Sequence, residues 1–196
     1  RSIFLAFNKD IVENLKQRLP SSVEVRTTHS FGLNVIYQNF GYYPKKNFKK
    51  LTELINKNLE IISQETSRFL DRDDEKELLS VMHRVIPLLK ANLINPENQE
   101  EIETLVDDMA LDYTLGDLEF KLILRVMQDC QADIENIDFD DMIWLPIVKG
   151  LDSRKYDFVF IDELQDLNLS QFELIKKMCN GNTRIVGVGD PNQSIY

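Results

Sequence analysis

Tyr156–Asn168 reads Tyr-Asp-Phe-Val-Phe-Ile-Asp-Glu-Leu-Gln-Asp-Leu-Asn, and the fold turns on how this stretch is read. Phe158, Val159, Phe160 and Ile161 form an unbroken apolar run of β-branched and aromatic residues, closed by the carboxylates Asp162 and Glu163. A run apolar on both faces suits a strand of a parallel sheet covered by helices above and below. Such sheets bind ligands beyond the carboxyl ends of their strands, which is where Asp162 and Glu163 would fall. Taken alone, the run is equally a buried strand whose acidic end caps the next helix.

Two neighbours shift that balance. Gln165 and Asp166 follow at fixed offsets, and a second strand-like stretch, Arg184–Val188, runs into Gly189-Asp190-Pro191-Asn192-Gln193-Ser194-Ile195-Tyr196. An apolar strand ending in Asp-Glu has the form of a Walker B element, where the Asp holds Mg²⁺, usually through water, and the Glu polarises the water attacking a γ-phosphate. Together, DELQDLN and GDPNQSIY resemble motifs II and III of superfamily 1 DNA helicases of the UvrD/Rep type, in the right order and at a plausible separation. The resemblance implies an α/β fold: a RecA-like P-loop NTPase parallel sheet, incomplete here, with an inserted all-helical subdomain. It implies ATP and Mg²⁺ as cofactors, with Asp162 holding Mg²⁺ through water and Glu163 orienting or deprotonating the attacking water. Gln193 would sense the γ-phosphate, Gln165 would help position the water, Asp190 would support the Mg²⁺ shell or its loop, and Tyr196 would stack on a base.

Working outward, Ile3–Phe7 is another short apolar run, followed by a helical pattern with Ile11, Val12, Leu15 and Leu19 on one face, ended by Pro20. Its periodicity requires no function. By resemblance to motif Ia, however, Phe7, Asn8 and Lys9 are candidates for contact with single-stranded DNA. Stacking of an aromatic ring on a base is worth ~1–3 kcal/mol and tolerates any sequence. Val23–Thr27 alternates as a half-exposed strand and leads into Thr28-His29-Ser30-Phe31-Gly32, read as a loop. A lone loop histidine is an ordinary structural residue. The Thr-His-Ser-Phe order resembles the element after motif Ia, which makes Thr28, His29 and Ser30 candidate phosphate contacts. General-base work by His29 is not expected, because no nucleophile or partner acid lies beside it in sequence.

From about Leu33 to Ile134 the strand patterns stop and apolar residues recur at helical spacing, as in Leu78, Leu79, Met82, Val85, Ile86 and Leu89. Pro87 predicts a helix that starts, kinks or stops there. The organisation expected is a motor domain in two parts, 1–34 and 137–196, around a helical insertion, 35–136. The acidic clusters of the insertion read as solvated helix faces. Lys45, Lys46, Lys49 and Lys50, beside Tyr42, Tyr43 and Phe48, read as a solvated basic face, with phosphate contact as the alternative. Asp138, Asp140 and Asp141 could form a divalent site, but an amphipathic helix carrying Phe139, Met142, Ile143 and Leu145 and capped by Asp138 is the simpler account. After the Asp-Glu strand, Ser170-Gln171-Phe172-Glu173 reads as a capping box with Leu169 and Leu174 as its staple.

The chain of 196 residues is 43% apolar, enough for a core, and contains no apolar run near the ~18–20 residues that span a membrane. A net charge of −10 disfavours a broad footprint on phosphate and leaves room for a narrow groove. Cys130 and Cys179 fit no metal or disulfide pattern and read as reduced thiols, consistent with a cytoplasmic or nucleoid-associated protein. No GxxxxGK[ST] loop occurs in the 196 residues, so neither its phosphate-binding Lys nor its Mg²⁺-binding Ser or Thr is present. Beginning at Arg1 and ending inside a motif, the chain reads as a fragment, expected neither to hydrolyse ATP nor to unwind DNA alone. Leu164 stands where Phe is common in the family, Leu167 where Thr is, and Ala6 where Thr often precedes; none of these removes a charged group. The expected whole is an ATP-dependent helicase or translocase moving 3′ to 5′ on single-stranded DNA and at single-strand/duplex junctions. The alternative is a non-catalytic DNA-binding or scaffold protein built on a degenerate helicase domain.

Overall fold

A computed structural model describes residues 1–67, 69–110, 113–190 and 192. The chain divides into two compact units, Arg1–Tyr43 with Met142–Tyr196, and Pro44–Asp141.

The first unit is built on a four-stranded parallel sheet in the order β2-β1-β5-β6, with β1 Ser2–Ala6, β2 Val23–Thr27, β5 Phe158–Ile161 and β6 Arg184–Gly187. β1 sits between β2 and β5, with Ser2 opposite both Val23 and Phe158. Alternation along the strands sends Ile3, Leu5, Val159 and Ile161 to one face. There they pack on Phe31 and Val35 of α2 (Thr28–Phe40), Ile143 of α7 (Asp141–Val148), and Leu174 and Ile175 of α8 (Leu169–Lys177). Ala6 and Val25 face the other way, onto Val12 of α1 (Lys9–Arg18). Fully burying each such aliphatic side chain contributes about 1.5–3 kcal/mol. Because Val35 belongs to the sheet's core, α2 stays with the first unit and the division falls after Tyr43. Gly32 lets α2 approach α7 closely, since a Cβ there would lie 1.9 Å from the Met142 carbonyl oxygen.

Four local expectations are corrected. Thr28–Phe31 is the first turn of α2 and not a loop; Thr27 is its N-cap, its Oγ1 accepting from the Ser30 N–H. The cap of α8 is Asn168 and not Ser170, because Asn168 Oδ1 accepts from the Gln171 N–H at 2.9 Å while Gln171 Oε1 accepts from the Asn168 N–H. β5 is not sheathed on both faces: Phe158 is 39% exposed and β6 is exposed along its length. Phe139 lies outside α7 and is exposed, stacked on Phe48 with ring centroids 5.0 Å apart.

The second unit comprises α3 (Lys50–Thr66), α4 (Arg72–Asn92), α5 (Gln99–Asp108) and α6 (Asp117–Ala132), with a two-residue parallel ladder joining β3 (Lys45–Lys46) to β4 (Asn136–Ile137). α4 runs on through Pro87, held by buried Val85, Ile86 and Leu89 around it. Its least expected feature is a buried ion cluster. Asp141, fully buried, accepts from Lys50 Nζ at 2.7 Å and Lys90 Nζ at 2.9 Å, and Asp138 accepts from Lys90 at 3.3 Å. Lys50 is therefore no part of a solvated basic face, whereas Lys45, Lys46 and Lys49 are exposed. Asp138 does cap the following turn, its Oδ1 accepting from the Asp141 N–H at 2.8 Å. No helix is long and apolar enough to cross a membrane among the described residues.

Candidate functional site

All four strands of the sheet are parallel, so their carboxyl ends line one edge in the order β2, β1, β5, β6, with neighbours about 4.8 Å apart. Thr28 to Ser30 follow β2, Phe7 to Lys9 follow β1, Asp162 and Glu163 follow β5, and Asp190 lies just beyond β6. The fold thus brings these sequence candidates to one sheet edge. Gln193 and Tyr196 lie outside the described residues.

The turn after β5 is tied at three points. The Asp162 N–H donates to the Leu5 carbonyl at 3.0 Å, Val188 N–H to Ile161 at 2.9 Å, and Leu164 N–H to Val188 at 3.0 Å. Between these ties Glu163 adopts a left-handed backbone, φ 52° and ψ 51°. That conformation costs a non-glycine residue ~1–2 kcal/mol, and such strain gathers at functional sites. It reverses the chain from the strand into a 3-10 turn, Leu164–Asp166. The Gln165 amide then reaches back, its Nε2 donating to Glu163 Oε2 at 2.7 Å. Gln165 Oε1 and Asp166 Oδ1 are buried with no hydrogen-bond partner among the described residues.

These donors and acceptors fit one side of a nucleotide site. Among the described residues no group of three or more His, Cys, Asp or Glu side chains converges as a metal site. Mg²⁺ does not require one, since it keeps several waters and takes one or two carboxylates together with substrate phosphates. Asp162 and Glu163 have that character; they offer no cation to a triphosphate.

On the β1–β2 side the structural duties of the candidates become visible. Phe7 is 57% exposed, its ring open to solvent. Asn8 is the N-cap of α1, its Oδ1 accepting from the Ile11 N–H at 2.9 Å, and Lys9 is exposed in the first turn. Ser30 Oγ accepts from the Thr27 N–H and donates to the Thr27 carbonyl, so its hydroxyl serves the cap of α2. Thr28 is buried, and burial holds the half-buried His29 imidazole below its usual pKa, favouring the neutral form. Asp190 Oδ1 accepts from the Asn192 N–H at 2.9 Å, which shapes the loop after β6.

Sequence reasoning missed the strained backbone of Glu163 and the close approach of the 187–190 segment to the 164–165 turn. A Cβ on Gly189 would meet Gln165 Oε1 at 2.1 Å, and one on Gly187 would meet Leu164 Cδ2 at 2.6 Å. The only sequence sign of either is the pair of glycines around Val188.

The chain is similar in sequence to known DNA helicases. The ATP-dependent DNA helicase Rep of Escherichia coli (strain K12) is 26% identical over 193 residues, covering 94% of this chain and 27% of the relative. Rep of Buchnera aphidicola subsp. Acyrthosiphon pisum (strain APS) is 26% identical over 180 residues, covering 88% of this chain and 26% of the relative. The ATP-dependent DNA helicase PcrA of Bacillus subtilis (strain 168) is 28% identical over 115 residues, covering 55% of this chain and 14% of the relative. The chain therefore spans about a quarter of the length of the Rep relatives. The profile of the UvrD/REP helicase N-terminal domain matches residues 6–196, and the chain belongs to that family.

Proposed function

We propose that this chain is the part of an ATP-dependent DNA helicase that joins ATP hydrolysis to movement, 3′ to 5′, along single-stranded DNA and through duplex junctions. The observation that carries the reading is the order of strand ends along one sheet edge. Candidate DNA contacts follow β2 and β1, and the candidate hydrolytic carboxylates follow β5 immediately beside them. A change at one group is then felt one strand away at the other.

In this reading Asp162 holds Mg²⁺ through water, and the metal supplies charge neutralisation at the phosphates. Glu163, turned out of the strand by its left-handed backbone, orients or deprotonates the attacking water. Gln165 helps position that water, Asp190 shapes the loop after β6, and Gln193 reports the γ-phosphate. Phe7 and Tyr196 stack on bases while Asn8, Lys9, Thr28, His29 and Ser30 line the backbone path; none of these residue types demands a particular base. The cationic cradle for the triphosphate is not among these residues, so isolated 1–196 is expected to show no ATP turnover above a Glu163→Gln control.

Duplexes carrying either a 3′ or a 5′ single-stranded tail test the reading with the whole gene product and ATP. Strand separation confined to the 3′-tailed duplex is expected. Separation of the 5′-tailed duplex alone reverses the polarity. Tight binding of both without ATP turnover favours a non-catalytic DNA-binding protein.

A further inference from the structure

We propose that Gln165 is a positioning residue for Glu163, and that the absent side chain of Gly189 is what gives the Gln165 amide its place. Only the Nε2 of a glutamine amide can donate to a carboxylate, so the 2.7 Å bond to Glu163 fixes which way the amide faces. Its Oε1 is thereby turned to the backbone of Gly189, into the space a Cβ would fill at 2.1 Å. No donor among the described residues holds that oxygen. The amide is therefore kept in place from two sides, by the Glu163 carboxylate in front and by the Gly189 backbone behind.

The same segment is fastened to the turn again one residue earlier. Leu164 N–H donates to the Val188 carbonyl at 3.0 Å, and the Leu164 side chain occupies the space beside Gly187. Residues 187–189 thus form a wall against which the 164–165 turn rests. Moving the wall moves the amide, and the amide sets the direction of the Glu163 carboxylate. This gives the loop that continues from Gly189 a short mechanical route to the carboxylate, through one side chain.

The inference rests on the reading of Glu163 as the group that orients or deprotonates water. Its test is a double-mutant cycle in the whole gene product, scored as kcat and KM for ATP with saturating single-stranded DNA. Gln165→Ala is expected to lower kcat ~10–100-fold, the scale of a misplaced catalytic group, with KM changed less than about twofold. Gly189→Ala is expected to do the same by displacing the amide. On the Gln165→Ala background the 2.1 Å clash is gone and only the 3.0 Å approach to the Leu164 amide nitrogen remains, so Gly189→Ala should cost less than about twofold more. A full second loss on that background overturns the proposal, because Gly189 would then act without Gln165. Gln165→Leu guards against a Gly189 variant that fails to fold: it fills similar space without the Nε2 donor and leaves 187–190 intact. Its kcat should match that of Gln165→Ala, and a wild-type kcat overturns the proposal. Glu163→Gln separates the two levels. Turnover retained there removes the functional reading and this inference with it; turnover lost there with additive Gly189 and Gln165 effects removes the inference alone.

Discussion

Replacing Asp141 by Asn tests the internal charge balance of the Pro44–Asp141 unit. The carboxylate is fully buried, with Lys50 Nζ at 2.7 Å and Lys90 Nζ at 2.9 Å, and the two lysines are themselves 2% and 1% exposed. At an effective dielectric near 20, each contact is worth roughly 6 kcal/mol of attraction before desolvation is counted. Burying the four ions offsets most of that gain, so the intact cluster adds little net stability. Breaking it is different. Asn presents one neutral carbonyl where a single carboxylate had faced two ammonium groups; Asp138 stays 3.3 Å from Lys90, and the Cys130 and Asp133 carbonyls stay 3.1 and 3.0 Å from Lys50. The expected loss is about 3–5 kcal/mol, the scale of an uncompensated buried charge. Urea unfolding followed by helical circular dichroism reads it directly. With a slope of ~2 kcal/mol/M, the midpoint should fall by roughly 2 M. Replacing the whole cluster together, Lys50→Met, Lys90→Met, Asp141→Leu and Asp138→Asn, should fall far less or even gain. A midpoint for Asp141→Asn within about 0.3 M of wild type would mean that the cluster does not depend on this carboxylate.

Other expectations follow from the same structure. Gly32→Ala places a Cβ 1.9 Å from the Met142 carbonyl oxygen, a backbone atom, and should cost about 3 kcal/mol or more in thermal unfolding. Gly181→Ala, where a Cβ meets nothing within 4 Å, should stay within ~0.5 kcal/mol. Burial, and then the neighbouring Asp138, push the Asp140 carboxyl up from 3.8 to about 6. The folded state therefore binds this proton more tightly than the unfolded chain, and the contribution to stability declines as pH rises from about 4 to about 6. Asp140→Asn should accordingly stabilise at pH 8 by about 1–3 kcal/mol and have little effect at pH 3.5, as seen in paired denaturation curves. For DNA binding, burial lowers the pKa of His29 and favours the neutral imidazole at pH 7.5. His29→Gln should thus weaken oligonucleotide binding without changing the slope of log K against log salt, whereas Lys9→Ala should reduce that slope by about 1. A reduced slope for His29→Gln would show a charged contact instead.

The strands of the motor unit were legible because their physics is local. The apolar runs at Ile3–Phe7 and Phe158–Ile161 and the alternation at Val23–Thr27 each carry their own period, and β1, β5 and β2 appear where those runs stand. The helical face of Ile11, Val12, Leu15 and Leu19 likewise becomes α1, packed through Val12. What escaped depends on partners far along the chain. Lys50 reads as one of four exposed lysines until Asp141, 91 residues away, is folded onto it. Pro87 reads as a start, a kink or a stop, and only the burial of Val85, Ile86 and Leu89 around it shows that α4 continues through, against the roughly 3 kcal/mol penalty of an interior proline. Asn168 and Ser170 are both good capping residues, and only the hydrogen-bond geometry separates them. At the candidate site, the place of Asp162 and Glu163 at the carboxyl end of a strand was readable from the apolar run before them, whereas the Gln165–Glu163 bond depends on a left-handed backbone at a glutamate, which residue type does not announce.

We propose DNA-dependent ATP hydrolysis at the acidic end of β5. Phosphate release by the whole gene product, with and without single-stranded DNA, compared between wild type and Glu163→Gln, tests it most directly. DNA-stimulated turnover is expected in the wild type, with a loss of ~10²–10⁴-fold in the variant and oligonucleotide binding retained. Turnover in the Glu163→Gln protein within about twofold of wild type would contradict it.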